Sequence, residues 1–495
     1  MTNNKVQRMS CDREYLIGLD IGTSAIKGVL MSASGEIVSK ERNHTEYLFS
    51  EKGWIQFDVN QLYLLTVDVI RRLVLALPEG AAVAALSMAS ASGNTVLADA
   101  KGHPVHPAIS WMDTRVTQEI ELVFGKLQAE EVQELLGWPL LNTFPLAHLS
   151  WLKYHRPELL QSAARVCMST DYINFRLTGN WGIDHSTATT FYLQDQKTGI
   201  WHLPYIQQLG ISKEQLPPLY STGTILGRIT ADAASATRLS PGTPVVLGAF
   251  DHPCAARGAG VLDEGQFLLS TGTSWVGFFP VKDRQKAVTQ KLLVDPFLHP
   301  KGAWGAMFSL SAIANSVDKF INKYISSAPD KYKIFDQLSG YAKPGGGGLL
   351  INPMLDHDVV IEDSYTKADI ARAVMEGTAY LLKTQIDKLA NAGMNFSSVM
   401  MVGGPSEALS WPQIIADVLN IEVCTINGSC AGATGAAILA GIGVGLYRDE
   451  MDAFRKLGTP KVSYKPNHPA HTAYRGYYKK FMDNRTMNNS GGVPS

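Results

Sequence analysis

Apolar positions along the chain fall into short runs separated by polar and glycine-containing turns, with stretches of helical spacing between them. Residues 15–20 and 26–31 are two such runs, and Ser34-Gly35 makes a turn before a third short segment at 36–39. This pattern predicts a hairpin meander of three strands. Residues 59–77 carry apolar side chains at helical spacing and predict an amphipathic helix, after which 81–87 returns to a buried strand. Further strands are expected at 244–250 and 399–402. Alternation of strand and helix patterns over the whole chain argues for α/β layers. Residues 1–13 and 483–495 are polar or glycine-rich and are expected to be poorly ordered tails.

An approximate internal repeat organises the chain. The run that ends in Gly22-Thr23-Ser24 turns straight back into a second apolar run. The run that ends in Gly272-Thr273-Ser274 turns back in the same way into the apolar segment 275–280. The two turns stand half a chain apart, so a duplicated α/β domain with one hairpin per copy is the reading. A chain of 495 residues is also too long for one core, and two domains of roughly 200–250 residues are expected. The division is placed near 258–265, where small residues suit a hinge, giving an N-terminal domain at 14–257 and a C-terminal domain at 258–482.

Composition narrows the partners. Hydrophobic residues make up 45% and charged residues 18%, and the formal net charge is −1 with no basic stripe. Nucleic acid and anionic membranes are thereby excluded as main partners. The five cysteines (Cys11, Cys167, Cys254, Cys424 and Cys430) are scattered without a CxxC pair, so neither a disulfide framework nor a zinc site is expected. The first residues show no apolar segment of signal-peptide length, and apolar stretches such as 433–445 are too short to span a bilayer. A reduced cytoplasm is the expected compartment, and Asn427-Gly428-Ser429 is read as a chance glycosylation match.

The hairpin turns carry the first candidate chemistry. A glycine at a tight turn lets backbone approach a phosphate, and adjacent Thr and Ser supply donors. In Asp20-Ile-Gly22-Thr23-Ser24-Ala-Ile-Lys27, Asp20 is placed to hold Mg²⁺ and Lys27 to add positive charge for phosphate. Taken alone, a structural β-turn with polar decoration explains this segment equally well. Gly272-Thr273 repeats the device in the other half, so two hairpins are expected to grip the phosphates of a nucleotide from both sides. A Walker A motif and the protein-kinase signatures are absent.

Together and in order, several segments resemble the FGGY family of carbohydrate kinases, within the actin/Hsp70/sugar-kinase superfamily. The first hairpin at 20–30 is one. Trp111-Met-Asp113-Thr-Arg115 is similar to the family's sugar-side element, and 171–179 (DYINFRLTG) to the helix that follows it. Gly248-Ala-Phe-Asp251 resembles the catalytic segment and 270–275 (STGTSW) the second hairpin. Residues 402–417 resemble the adenosine motif, followed by a glycine–alanine helix start at Gly432-Ala-Thr-Gly435. The resemblance spans about 15–446 and implies two ribonuclease-H-like (actin-like ATPase) domains with a cleft between them.

Asp251 is the expected catalytic base. It follows an apolar strand and precedes a small-residue helix start, which suits a carboxylate that orients and deprotonates an attacking hydroxyl; a helix N-cap is the structural alternative. Gly403, Gly404 and Pro405 follow a strand where the chain can pass close under a nucleotide, or simply make a tight strand–helix turn. Similarity implies that Ser311 and Asn315 lie near the adenine or ribose. On the sugar side, Trp111 is expected to stack on a sugar face, against a plain core role, and Asp113 to accept hydroxyl hydrogen bonds.

The chain departs from many relatives at 87–95, where Ser92 and Asn94 are the remaining candidate sugar ligands. It also departs at His252, read equally as a substrate ligand or a structural histidine. The expected function is an ATP- and Mg²⁺-dependent kinase of a small sugar, sugar acid or polyol, compatible with a homodimer. An actin- or Hsp70-like ATPase and a non-catalytic sugar sensor are the alternatives.

Overall fold

The computed structural model describes residues 13–490 except 51, 273, 356–359, 427–429 and 459–460, with side chains described to 484. The expected N-terminal tail through residue 12, Cys11, Thr273 and the Asn427-Gly428-Ser429 site therefore lie outside the described residues. Contacts divide the chain into two compact units: 1–262 with 281–306 and 430–459, and 263–280 with 307–429 and 460–495.

In the first unit β1 (Glu14–Ile21), β2 (Ala25–Ser32) and β3 (Ile37–His44) form the expected antiparallel meander. Helix α1 (Val59–Leu75) follows, its first turn capped by the Asp58 carboxylate, which accepts from the Asn60 and Gln61 amides. Strand β4 (Ala82–Ser90) then runs parallel to β1. Strands β5 (Ile225–Arg228) and β6 (Pro244–Phe250) complete a six-stranded sheet in the order β5–β6–β4–β1–β2–β3. One face is covered by α1, whose Leu62, Val69, Ile70 and Leu73 join Ile17, Leu19 and Leu86 in a single core. Burying these side chains, at about 1.5–3 kcal/mol each, holds α1 against the sheet.

The other face takes α2 (Asp251–Ala259) and the glycine–alanine helix Ala431–Gly443. Ala433, Ala437 and Ile438 pack on Leu16, Val29 and Val246 of the sheet. Contact there is so close that a Cβ at Gly18 would lie 1.8 Å from the Ala433 carbonyl oxygen, so β1 admits only glycine at that point. Arg257 of α2, almost fully buried, pairs with Glu450 at 3.0 Å. These contacts are why 430–459 belongs to the first unit, unlike the single division near 258 expected from the sequence.

The second unit repeats the arrangement around β7 (Gln266–Thr271). It pairs antiparallel with β8 (Trp275–Val281) and parallel with β9 (Ser398–Gly403), as β1 does with β2 and β4. Strands β10 (Glu422–Ile426) and β11 (Lys461–Tyr464) extend the sheet from β9. Helix α3 (Lys367–Asn391) begins in a capping box between Thr366 and Asp369. The last helix, His468–Ser490, docks Tyr474 and Phe481 on Tyr380, so the chain stays helical beyond 483, where a disordered tail was expected. Among the described residues, no helix is long and apolar enough to cross a membrane.

Candidate active site

The turn between β1 and β2 places the first group. Gly22 N–H donates to the Ala25 carbonyl at 3.1 Å and closes the turn. Thr45 ties the turn from outside: its hydroxyl donates to the Thr23 carbonyl and its amide to the Ser24 carbonyl. Asp20, at the end of β1, lies opposite Lys27 on β2 and beside Ala89 on β4. Its carboxylate faces the first turn of the glycine–alanine helix, where a Cβ at Gly432 would lie 2.9 Å from Oδ2. Burial, and then the negative charge of Asp251, push the Asp20 carboxyl up to about 6, against the opposing pull of Lys27.

Asp251 itself is the first residue of α2, with Phe250 as the N-cap, so it is not the cap that its sequence context also allowed. Its Oδ1 accepts the His252 amide at 2.7 Å, and the His252 Nε2 lies 3.8 Å away. The side chain keeps 29% of its surface open. Burial raises its pKa above the usual carboxylate range; the His252 ring and backbone N–H groups act in the opposite direction. A carboxylate at a strand end, held by backbone donors and partly open, is suited to accept a proton.

Around it the acceptor-side candidates separate into two groups. Trp111 is 37% exposed, and its indole N–H donates to Thr23 Oγ1 at 3.0 Å, tying it to the β1–β2 turn. His252 is partly exposed and packs edge-on against Phe250. Asp113 is different. Its carboxylate is fully buried, pairs with Arg115 through Nε at 2.9 Å and Nη2 at 2.8 Å, and accepts the Ile55 amide at 2.6 Å. Arg115 is in turn held between the rings of Trp54 and Trp151. The expectation that Asp113 accepts sugar hydroxyls is therefore corrected: its lone pairs already serve the loop that carries Trp111.

Asn94 is likewise engaged within the protein. Its amide donates to Ser169 Oγ and the Ala91 carbonyl, and its oxygen accepts the Ser169 amide. Ser92 is buried and donates to the Ser90 carbonyl. These side chains knit the loop after β4 to the helix starting at Ser169. One aromatic that sequence reasoning missed is Phe144, which packs over Gly93 beside the Trp111 Cβ and adjoins Trp138 and Tyr192. Nothing in its local sequence marks it.

In the second unit, Gly403 ends β9 opposite Thr271 with φ of 100°. A Cβ there would lie 2.5 Å from the Thr271 carbonyl oxygen, so both conformation and space require glycine. Thr271 Oγ1 donates to the Val402 carbonyl, and Ser406 Oγ to that of Gly403, fixing the turn. Pro405 lies in the short 3₁₀ turn Gly404–Glu407. At Gly404 no neighbouring atom lies within 4 Å of a Cβ position, and Gly272 is exposed. Ser311 and Asn315 are exposed at the start of the helix Ile313–Phe320, Ser311 in the turn before it. Each unit thus carries a glycine-containing turn at a strand end.

The comparisons with known proteins agree along the whole chain. Residues 15–258 match the N-terminal domain of the FGGY family of carbohydrate kinases, and 338–444 its C-terminal domain. A xylulose kinase of Staphylococcus epidermidis is 26% identical over 489 residues, covering 95% of this chain and 96% of that protein. An autoinducer-2 kinase of Salmonella typhimurium is 27% identical, covering 96% of each. The crystal structure of xylulose kinase from Rhodospirillum rubrum superposes with a TM-score of 0.84 at 24% identity, over 96% of this chain and 99% of that one. The chain belongs to the FGGY family of carbohydrate kinases and is an ATP-dependent sugar kinase.

Proposed function

We propose that the chain transfers the γ-phosphoryl group of ATP to a hydroxyl of a small ketose, sugar acid or polyol, with Asp251 as general base and Asp20 as the carboxylate that holds Mg²⁺. The observation that carries this reading is the pair of carboxylates, each at the mouth of a strand of one sheet, with Asp251's charge felt at Asp20. Asp251 accepts the proton of the attacking hydroxyl and orients its oxygen toward the γ-phosphorus. A new oxygen–phosphorus bond forms, the bond from the γ-phosphorus to the bridging oxygen breaks, and ADP leaves.

Asp20 fits a hard divalent cation: it is a carboxylate raised toward 6 by burial and by a like charge, a field that a cation would relieve. The bound metal would neutralise negative charge on the phosphates. Thr23 and Ser24 at the β1–β2 turn, with Lys27 opposite Asp20, serve the phosphates. In the second unit, Gly272, Gly403, Gly404 and Pro405 are read as the nucleotide side, with Ser311 and Asn315 toward the adenosine.

Trp111, exposed, and His252, partly exposed, are read as the side chains that face the acceptor. A cytoplasmic setting accords with the free thiols of Cys167, Cys254 and Cys424. The test is a coupled ADP assay over ketoses including xylulose, autoinducer-2, sugar acids and polyols. One acceptor is expected to give ADP and phosphorylated product in equal amounts; ADP release without product would return the reading to a plain ATPase.

A further inference from the structure

Three residues behind Asp251 make a buried chain that the reaction as described does not use. Asp295 is fully buried, and its Oδ2 accepts the Ser186 hydroxyl at 2.7 Å. Ser186 is also fully buried, and its oxygen accepts the Phe250 amide at 3.2 Å. A hydroxyl has one hydrogen. Its donation to Asp295 leaves a lone pair for the Phe250 N–H, so the direction of the chain is fixed.

Phe250 precedes Asp251 and caps its helix. The parallel pairing of β6 with β4 shifts register between Val246 and Ala249, just before this point, and a Cβ at Gly248 would lie 1.8 Å from the Met88 carbonyl oxygen. Backbone at the catalytic strand end is therefore irregular, and a side chain supplies an anchor there. Asp295 Oδ1 has no hydrogen-bond partner among the described residues, although its surroundings are fully protein. Arg257 and Asp184 are the charged groups whose fields reach it. A buried carboxylate that spends only one oxygen is costly to keep, and its one contact leads to the Phe250–Asp251 peptide.

We propose that Asp295 and Ser186 form a positioning relay that fixes the peptide carrying Asp251, and so the aim of its carboxylate at the acceptor hydroxyl. Neither residue touches substrate; both act through the backbone at 250–251. The relay rests on the reading of Asp251 as the base. A small misplacement of a reacting group lowers turnover by about 10- to 100-fold without weakening substrate binding, which separates this role from a general packing role.

The test uses the full chain with saturating ATP and the best acceptor. Ser186→Ala is expected to lower kcat about 10- to 100-fold, with KM for both substrates within about twofold of wild type, and to lower the thermal midpoint because the Asp295 carboxylate and the Phe250 N–H lose their shared partner. Asp295→Asn keeps an acceptor oxygen for the hydroxyl and is expected to hold kcat within about threefold. Asp295→Leu, which removes it at similar volume, should match Ser186→Ala, and the double variant Ser186→Ala/Asp295→Leu should be no slower than either alone.

A Ser186→Ala enzyme with kcat within twofold of wild type, or additive losses in the double variant, would overturn the relay. So would losses in kcat matched by a rise in KM. If Ser186→Ala does not fold, the Asp295→Asn and Asp295→Leu pair carries the same comparison. Asp251→Asn measured alongside separates the two claims: retained turnover there defeats the base, whereas normal turnover in Ser186→Ala with an inactive Asp251→Asn defeats only the relay.

Discussion

Asp20 lies within the electrostatic reach of Asp251, and the charge on Asp251, added to burial, raises the Asp20 carboxyl to about 6. Asp251 is itself raised by burial. A protonated base cannot accept the hydroxyl proton, so activity should be lost as pH falls. The acid limb of kcat/KM, which reports the free enzyme, is expected above the ordinary carboxylate value of about 4. A pH–rate profile from 4.5 to 8 measures it, and an acid limb at 4 or lower would contradict the shared field.

The same shift has a consequence for stability with the opposite sign. Asp20 has a folded pKa of about 6 against an ordinary 3.8, so its ionised form is penalised by the fold. Its contribution is complete below 3.8 and is lost as pH rises through about 6. Asp20→Asn should therefore raise the thermal midpoint of the ligand-free protein at pH 7.5 by roughly 2–4 °C, while abolishing Mg²⁺-dependent turnover. Melting curves at pH 4.5 and 7.5 check it: the gain should shrink at the lower pH.

Asp113 and Trp111 stand two residues apart and should respond differently. Asp113→Ala strands the buried Arg115 guanidinium and is expected to cost about 3–5 kcal/mol of stability. Trp111→Ala removes a partly exposed ring and should leave the thermal midpoint nearly unchanged while raising the acceptor KM several-fold. Denaturant unfolding beside steady-state kinetics separates the two. A stable Asp113→Ala enzyme with only a raised acceptor KM would restore Asp113 to the sugar.

Gly403→Ala tests the nucleotide turn. The added methyl meets the Thr271 carbonyl at 2.5 Å on backbone with φ of 100°. A loss of about 1–3 kcal/mol in stability is expected, with KM for ATP raised more than KM for the acceptor. Equal changes in the two would separate this turn from the nucleotide.

Much of this was legible along the chain. Gly22-Thr23-Ser24 and Gly272-Thr273-Ser274 announce hairpin turns by residue type, and the apolar runs beside them give β1, β2, β7 and β8. Asp251 was legible because strand end and helix start adjoin it in sequence. What failed depends on partners distant in the chain. Sequence position singles out Asp113 and Asn94 but not the distant donors that reach them, Ile55 for one and Ser169 for the other. The return of 430–459 to the first sheet rests on Gly18 meeting Ala433, a contact across more than four hundred residues that no local pattern reveals. Phe144 and the continuing last helix were hidden for the same reason: Phe144 meets Gly93 and Tyr192, and Tyr474 and Phe481 meet Tyr380, all distant in the chain.

The most direct measurement is single-turnover phosphoryl transfer by Asp251→Asn, with ATP affinity and thermal midpoint recorded on the same preparation. Loss of the base should slow transfer by about 10²–10⁴-fold while ATP binds within about twofold of wild type and the fold is retained. Transfer at more than a few per cent of the wild-type rate would contradict the assignment of Asp251 as the group that activates the acceptor hydroxyl.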